Sequence, residues 1–224
     1  MKKLMQSVLL GSALVSTVAF AGNSDLDKEI LNYQHQWAHI NYQVPDDKKA
    51  DQFAALAKEE SALIKAYPNR AEPLIWQAII QSSLAGAEGG FGALGKVKEA
   101  RNDLLAAEKI DPTAMNGSID TSLGTLYFKV PGWPIGFGDD AKAETYLKKA
   151  LQINPNGIDP NYFYADFLYS KHQYKSAMQA LEKALAAPAR PDRPVADQGR
   201  RQEIKTLMAK IQSEHSDALA SAGQ

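Results

Sequence analysis

The chain reads as all-α, an α-solenoid of about four helical hairpins followed by a C-terminal capping helix, and three observations predict it. Apolar residues recur at helical spacing along almost the whole length, without the alternating Val/Ile/Thr-rich runs that argue for strand. Helical segments end alike, at Pro68 in IKAYP, Pro112 in EKIDP, Pro155 in LQINP and Pro188 in LAAP. Proline cannot continue a helix and biases the residue before it away from helical angles. Before each of the last three prolines stands A-x-x-x-L-x-x-A: Ala100, Leu104, Ala107; Ala143, Leu147, Ala150; Ala177, Leu181, Ala184. Small residues at such positions let a helix lie close to its neighbour.

Ala143 and Ala177 stand one 34-residue period apart, the period of a tetratricopeptide repeat. Ala100 and Ala143 are separated by nine residues more. Leu123-Gly124-x-x-Tyr127 matches the L-G-x-x-Y of the first helix of such a repeat, which places most of the excess in KVPGWPIGFGDD, between the two helices of one repeat. From about Pro73 to Pro188 the chain resembles the tetratricopeptide-repeat family. It departs from the family pattern at Asp120 and Asn161, where Trp is favoured, and at Ala165, where Gly is.

In chain order, residues 1–21 carry Lys2 and Lys3, an apolar stretch and the small-x-small triplet Ala19-Phe20-Ala21, and read as a secretory signal cleaved after Ala21. The run is too short for a spanning helix. Residues 22–68 form an N-terminal hairpin around Pro45, a degenerate repeat. Residues 69–188 hold the clearer repeats, with Gly/aromatic insertions between helices. Residues 189–224 comprise a Pro-rich linker, a capping helix with the stripe Ile204, Leu207, Met208, Ile211, and a fraying tail. Asp159 before Pro160 reads as the N-cap of a helix.

Composition narrows the function classes. The 224 residues include no Cys, which excludes disulfides, thiolate metal sites, a Cys nucleophile and the lipidated Cys of a bacterial lipoprotein. A mature chain is then expected to be soluble, periplasmic or secreted, and not membrane-spanning. Loss of Lys2 and Lys3 leaves acidic residues in slight excess, which is not the footprint of a nucleic-acid binder.

AEGGFGALGKVKEA, residues 87–100, contains G-x-G-x-x-G at Gly90, Gly92 and Gly95, and most of a phosphate loop. Both motifs need a preceding strand, and Val97 stands where the phosphate loop needs Ser or Thr. No nucleotide and no other cofactor is expected, and the glycines are assigned to a long turn between antiparallel helices. Gly90-Phe91-Gly92 is echoed by Gly136-Phe137-Gly138. The two insertions are expected to meet on one edge of the solenoid, where Phe91, Trp133 and Phe137 either bind a partner or anchor their loops. First helices are expected to line a concave face carrying Trp76, Tyr127, Tyr162, Tyr164 and Tyr169.

The function read from these features is that of a non-enzymatic adaptor or scaffold that binds an envelope protein or peptide. The alternative is a carrier or chaperone of a small apolar or organic ligand, by resemblance to the periplasmic tetratricopeptide subunits that accompany some solute transporters, which are typically lipoproteins. A metal-dependent enzyme is the distant third. It rests on His35 and His39, at i and i+4, as weak candidate ligands with Gln36 where the H-E-x-x-H motif has Glu.

Overall fold

The computed structural model describes residues 18–220. The basic start and most of the apolar stretch of the expected signal lie outside the described residues. The helices are α1 (Val18–Gln43), α2 (Asp46–Ala66), α3 (Ala71–Glu88), α4 (Gly90–Ile110), α5 (Ser118–Lys129), α6 (Asp140–Ile153), α7 (Ile158–Ser170), α8 (Tyr174–Leu185), α9 (Pro194–Glu214) and α10 (Ser216–Ala220). A single 3-10 turn, Ala114–Gly117, precedes α5. Each helix stops one or two residues before the proline that punctuates its segment, apart from α8, which stops a little earlier before Pro188.

The small-residue triplets lie at the tightest contacts. All nine of their side chains, from Ala100 to Ala184, are fully buried. Gly124 on α5 faces Leu147 on α6 so closely that a Cβ there would sit 2.6 Å from Leu147 Cγ. The backbones of this hairpin can therefore approach only because position 124 has no side chain. Of the polar residues in the family's Trp position, Asn161 is satisfied locally, its Nδ2 donating to the carbonyls of Pro155 and Gly157. Asp120 is fully buried, with Lys149 Nζ of α6 at 2.9 Å from Oδ1 as its ion-pair partner and no hydrogen-bond partner at Oδ2.

Three cores follow one another along the array. The first joins α1, α2 and α3 around Phe53 and Ile80. The second joins α3 to α6 around Leu104, Ile119 and Leu147. The third joins α7, α8 and α9 around Leu181, Ile204 and Ile211. Each hairpin thus buries most of its apolar face against its neighbours, as a solenoid does.

Two expectations are corrected. The glycine-rich stretch is not a long turn: α3 ends at Glu88 and α4 begins at Gly90, so Gly92 and Gly95 lie within the helix and only Gly89 and Gly90 take left-handed φ. Burial of Ala100 and Leu104 further along α4 outweighs the cost of about 1 kcal/mol per helical glycine. Part of the expected frayed tail is helical, since α10 packs on α8 and α9 with Leu219 against the third core, while residues 221–224 lie outside the described residues.

One carboxyl is out of place in these cores. Glu60 on α2 has no exposed surface, its Oε1 has no hydrogen-bond partner, and the Gln77 amide, oriented to donate, reaches Oε2 at 2.6 Å. Burial, aided by the charge of Asp103, raises its pKa to about 8. Between the ordinary carboxyl pKa and that value the folded chain keeps a proton that the unfolded chain has lost. Stability must therefore fall as pH rises through this window, by up to about 1.4 kcal/mol per pH unit.

Two outcomes are expected. Glu60→Gln should raise the melting temperature at pH 8 and leave it unchanged at pH 4, as read by calorimetry. Ala150→Trp should destabilise the chain by roughly 1–3 kcal/mol or more through overpacking, as read by urea denaturation.

Candidate functional site

The first helices of the hairpins touch in succession, α1 on α3, α3 on α5 and α5 on α7. The capping helix does more than cover the end of the array. It packs on α7 and α8 and also returns to α1, so α1, α3, α5, α7 and α9 form a closed inner ring. The closure is tight: a Cβ at Gly199 would lie 2.3 Å from the Tyr42 ring. Ala196 enters the first core, while Ile204 and Ile211 enter the third.

Ion pairs hold this closure. Asp159 on α7 accepts Arg190 Nη1 at 2.7 Å through one oxygen and Arg200 Nε at 2.9 Å through the other. Arg190 also reaches Asp197, by Nε to Oδ1 at 2.6 Å and by its backbone N–H to Oδ2 at 2.7 Å. Arg200 Nη1 donates to Glu203, which also accepts the Tyr42 hydroxyl at 3.3 Å. Arg201 caps the α8 end by donating to the carbonyls of Leu185 and Ala187. Burial alone would raise the pKa of Asp159, but the charges of Arg200, Arg190 and Arg193 outweigh it and hold the carboxyl well below its usual range. Asp159 is therefore not an N-cap, as its position before Pro160 implies. Gly157 holds the N-cap position of α7, and the Asp159 carboxylate turns inward to the arginines.

Inside the ring lies a cleft of about 430 Å³. Its apolar wall is built on Trp37 and Trp76, edge to face at 6.1 Å, with Ile79, Leu126 and Phe163. Trp37 Nε1 donates to Ser83 Oγ at 2.8 Å, whereas Trp76 Nε1 is buried without a partner. Hydroxyls from Ser82, Thr121 and Thr125 border the cleft, each donating to a carbonyl one turn back. Met115 and Asn116, at φ 53° and 52°, hold the turn before α5 against it. Left-handed angles in two successive non-glycine residues cost free energy that the surrounding packing must offset. At the far end Arg193 lies 5.4 Å over the Trp76 ring, and its Nε is buried without an acceptor. A larger groove, of about 770 Å³, runs along the other side of α9 among Gln198, Gln202, Lys205 and Lys210. Its long polar side chains are exposed or half-exposed, so it reads as a solvated helix face.

The sequence-predicted residues fall into different places. Trp76 alone among the concave-face candidates borders the cleft. Tyr127 is a correction: it is buried in the second core between Phe137 at 5.7 Å and the stacked Tyr146 ring at 5.7 Å. Tyr162 lies under Arg200 beside the other groove. Tyr164 stacks on Phe167, and Tyr169 packs on Tyr174 and His215. His35 and His39 do not converge. His35 Nε2 meets the Asp192 carbonyl at 2.6 Å and His39 Nδ1 meets Gln43 Oε1 at 2.8 Å, and among the described residues no group of three metal-ligating side chains occurs.

The inserted loop between α5 and α6 is a folded element. Ile135 and Gly136 N–H both donate to Gly132 O, and Gly138 N–H donates to Pro131 O. A Cβ at Gly138 would lie 2.0 Å from Val130 O, so the backbone crossing needs glycine there. Phe137 is an anchor, edge-on to Tyr127 with the Arg101 guanidinium 4.3 Å over its ring. Trp133 is 90% exposed and Ile135 66% exposed. A Cβ at Gly136 would lie 3.4 Å from Leu94 Cδ1 on α4, while the side chain of Phe91 lies outside the described residues.

Residues 135–211, from this loop through most of α9, match the tetratricopeptide repeat family. No curated protein matches the chain. Among the described residues no helix is long and apolar enough to cross a membrane.

Removing the shared carboxylate should leave Arg190 on Asp197 alone and Arg200 on Glu203 alone. Asp159→Asn is expected to cost about 3 kcal/mol and to speed amide exchange in α9 before α4, as read by hydrogen-exchange mass spectrometry. Because the folded pKa of Asp159 is depressed, its contribution is complete at neutral pH and is lost as pH falls below the ordinary aspartate range.

Proposed function

We propose that this chain is a non-enzymatic scaffold that binds a protein partner of the bacterial envelope, acting in the periplasm after removal of the signal near Ala21. A repeat array supports such a role, since stacked hairpins present side chains along an extended rigid surface. The concave side, where first helices would otherwise receive a peptide, is occupied by α9. A partner helix about 10–12 Å across does not fit the space that remains. Binding is therefore assigned to the edge carrying the 130–139 loop.

The observation that carries this reading is Trp133, 90% exposed beside the exposed Ile135, on a loop fixed by Phe137 and Val130 beneath it. Exposed Trp in a rigid setting is the residue type that most often anchors an interface, because little conformational entropy is lost when it is covered. Stability does not call for this length of loop. α7 and α8 make the equivalent connection in three residues, Lys171 to Gln173, with His172 in the left-handed region.

The test separates anchoring from binding. Trp133→Ala with Ile135→Ser should leave the melting curve within about 0.5 kcal/mol of the parent, whereas Phe137→Ala should lower stability by roughly 2 kcal/mol. A photo-reactive benzoylphenylalanine at position 133 should give a discrete cross-linked adduct in the periplasmic fraction of living cells, lost on Ile135→Asp. An absence of any adduct, or a chain retained in the cytosol, contradicts the reading.

A further inference from the structure

The cleft inside the helical ring has a chemistry that the scaffold role does not use. Two groups bordering it are unsatisfied, and both are donors. Trp76 is 3% exposed and its Nε1–H finds no acceptor. Arg193 Nε–H finds none either, although Arg190 and Arg200 beside it each donate through Nε and Nη1 to Asp159, Asp197 or Glu203. A buried donor left unmade costs more than a typical hydrogen bond contributes, so unsatisfied groups of one kind at one cleft imply a missing acceptor. The charges agree. Asp159 is the one acidic residue bordering the cleft, against Arg190, Arg193 and Arg200. Burial and the repulsion of Arg190 lower the pKa of Arg193 and outweigh the opposing pull of Asp159, Asp197 and Asp192.

We propose that this cleft binds a small amphipathic carboxylate, with its anionic head on Arg193 and its apolar body against Trp37 and Trp76. The volume of about 430 Å³ suits a small organic molecule and lies within the usual range of ligand pockets. Arg193, whose Nε has no acceptor, offers a single anionic head its partner. The remaining wall of Ile79, Leu126 and Phe163 offers a hydrocarbon body the same gain from burial as a protein core. Trp76 Nε1–H supplies a second donor near the guanidinium that lies over its own ring. The strained turn at Met115 and Asn116, also on this cleft, is consistent with a site shaped for a ligand.

Calorimetric titration of the full chain with octanoate and with octanamide tests the proposal, because the two probes differ only in the charge of the head. Octanoate should bind saturably at one site, and octanamide roughly tenfold more weakly, the worth of one charge-assisted hydrogen bond. Arg193→Gln should reduce octanoate to the level of octanamide while the melting temperature holds or rises, since the variant removes an unpaired buried cation. Trp133→Ala should leave octanoate binding intact, which keeps this outcome separate from that of the scaffold reading. The proposal is overturned if neither probe gives saturable binding, or if both bind equally. It is equally overturned if Arg193→Gln lowers the melting temperature and leaves octanoate affinity unchanged, because Arg193 is then a structural residue.

Discussion

The Asp159 carboxylate, shared between Arg190 and Arg200, is the constraint on which the interior of this protein depends. A stack of hairpins has two free ends, and each exposes an apolar face unless something covers it. Here α9 covers the last hairpin with Ile204 and Ile211 and then reaches the first helix, where Gly199 lets the Tyr42 ring lie against its backbone. The apolar contacts of α9 are few at this end, and Arg200 is almost wholly buried. Burying a guanidinium costs several kcal/mol unless a carboxylate meets it in good geometry. Asp159 meets two, Glu203 takes a further donor of Arg200 and Asp197 one of Arg190, and the ring closes.

Closure changes what a repeat array can do. In an open solenoid the inner helices form a groove for an extended partner. Here the groove is reduced to a cleft of about 430 Å³ with Trp37 and Trp76 on one side and arginines at one end. The proposed surface for a macromolecule lies at the rim, where the loop at 130–139 holds Trp133 in solvent, and the proposed small ligand lies in the interior. The two surfaces use different residues and lie on different elements, so each can be altered without the other.

Much of the architecture was legible in the sequence because it rests on local rules. Proline punctuation marks the ends of α2, α4 and α6 to within two residues, and the buried alanines of α4, α6 and α8 are the same residues that the A-x-x-x-L-x-x-A pattern marks. The stripe on α9 was also legible. The start of α4 was not, because Gly90, Gly92 and Gly95 favour a turn by propensity and only burial further along the helix overrides it. The site was mostly hidden. Arg190 and Arg193 stand in an ordinary Pro-rich linker, Asp159 looks like a helix cap, and nothing local says that a helix beginning at Pro194 comes back to one ending at Gln43. Tyr127 was misplaced for a related reason: its position on a first helix says which helix face it shares, but the ring turns into the core where Phe137 and Tyr146 receive it.

Ring closure is the claim from which the cleft, its charge and the displaced partner surface all follow. The chain has no cysteine, so cysteines placed at the exposed positions Asn32 on α1 and Lys205 on α9 carry spin labels at those sites alone. Pulsed dipolar spectroscopy of the doubly labelled full chain then reads the separation of the two helices directly. The account predicts one narrow distance distribution at neutral pH. A broad distribution extending to long distances would mean that α9 leaves α1 in solution, and would contradict it.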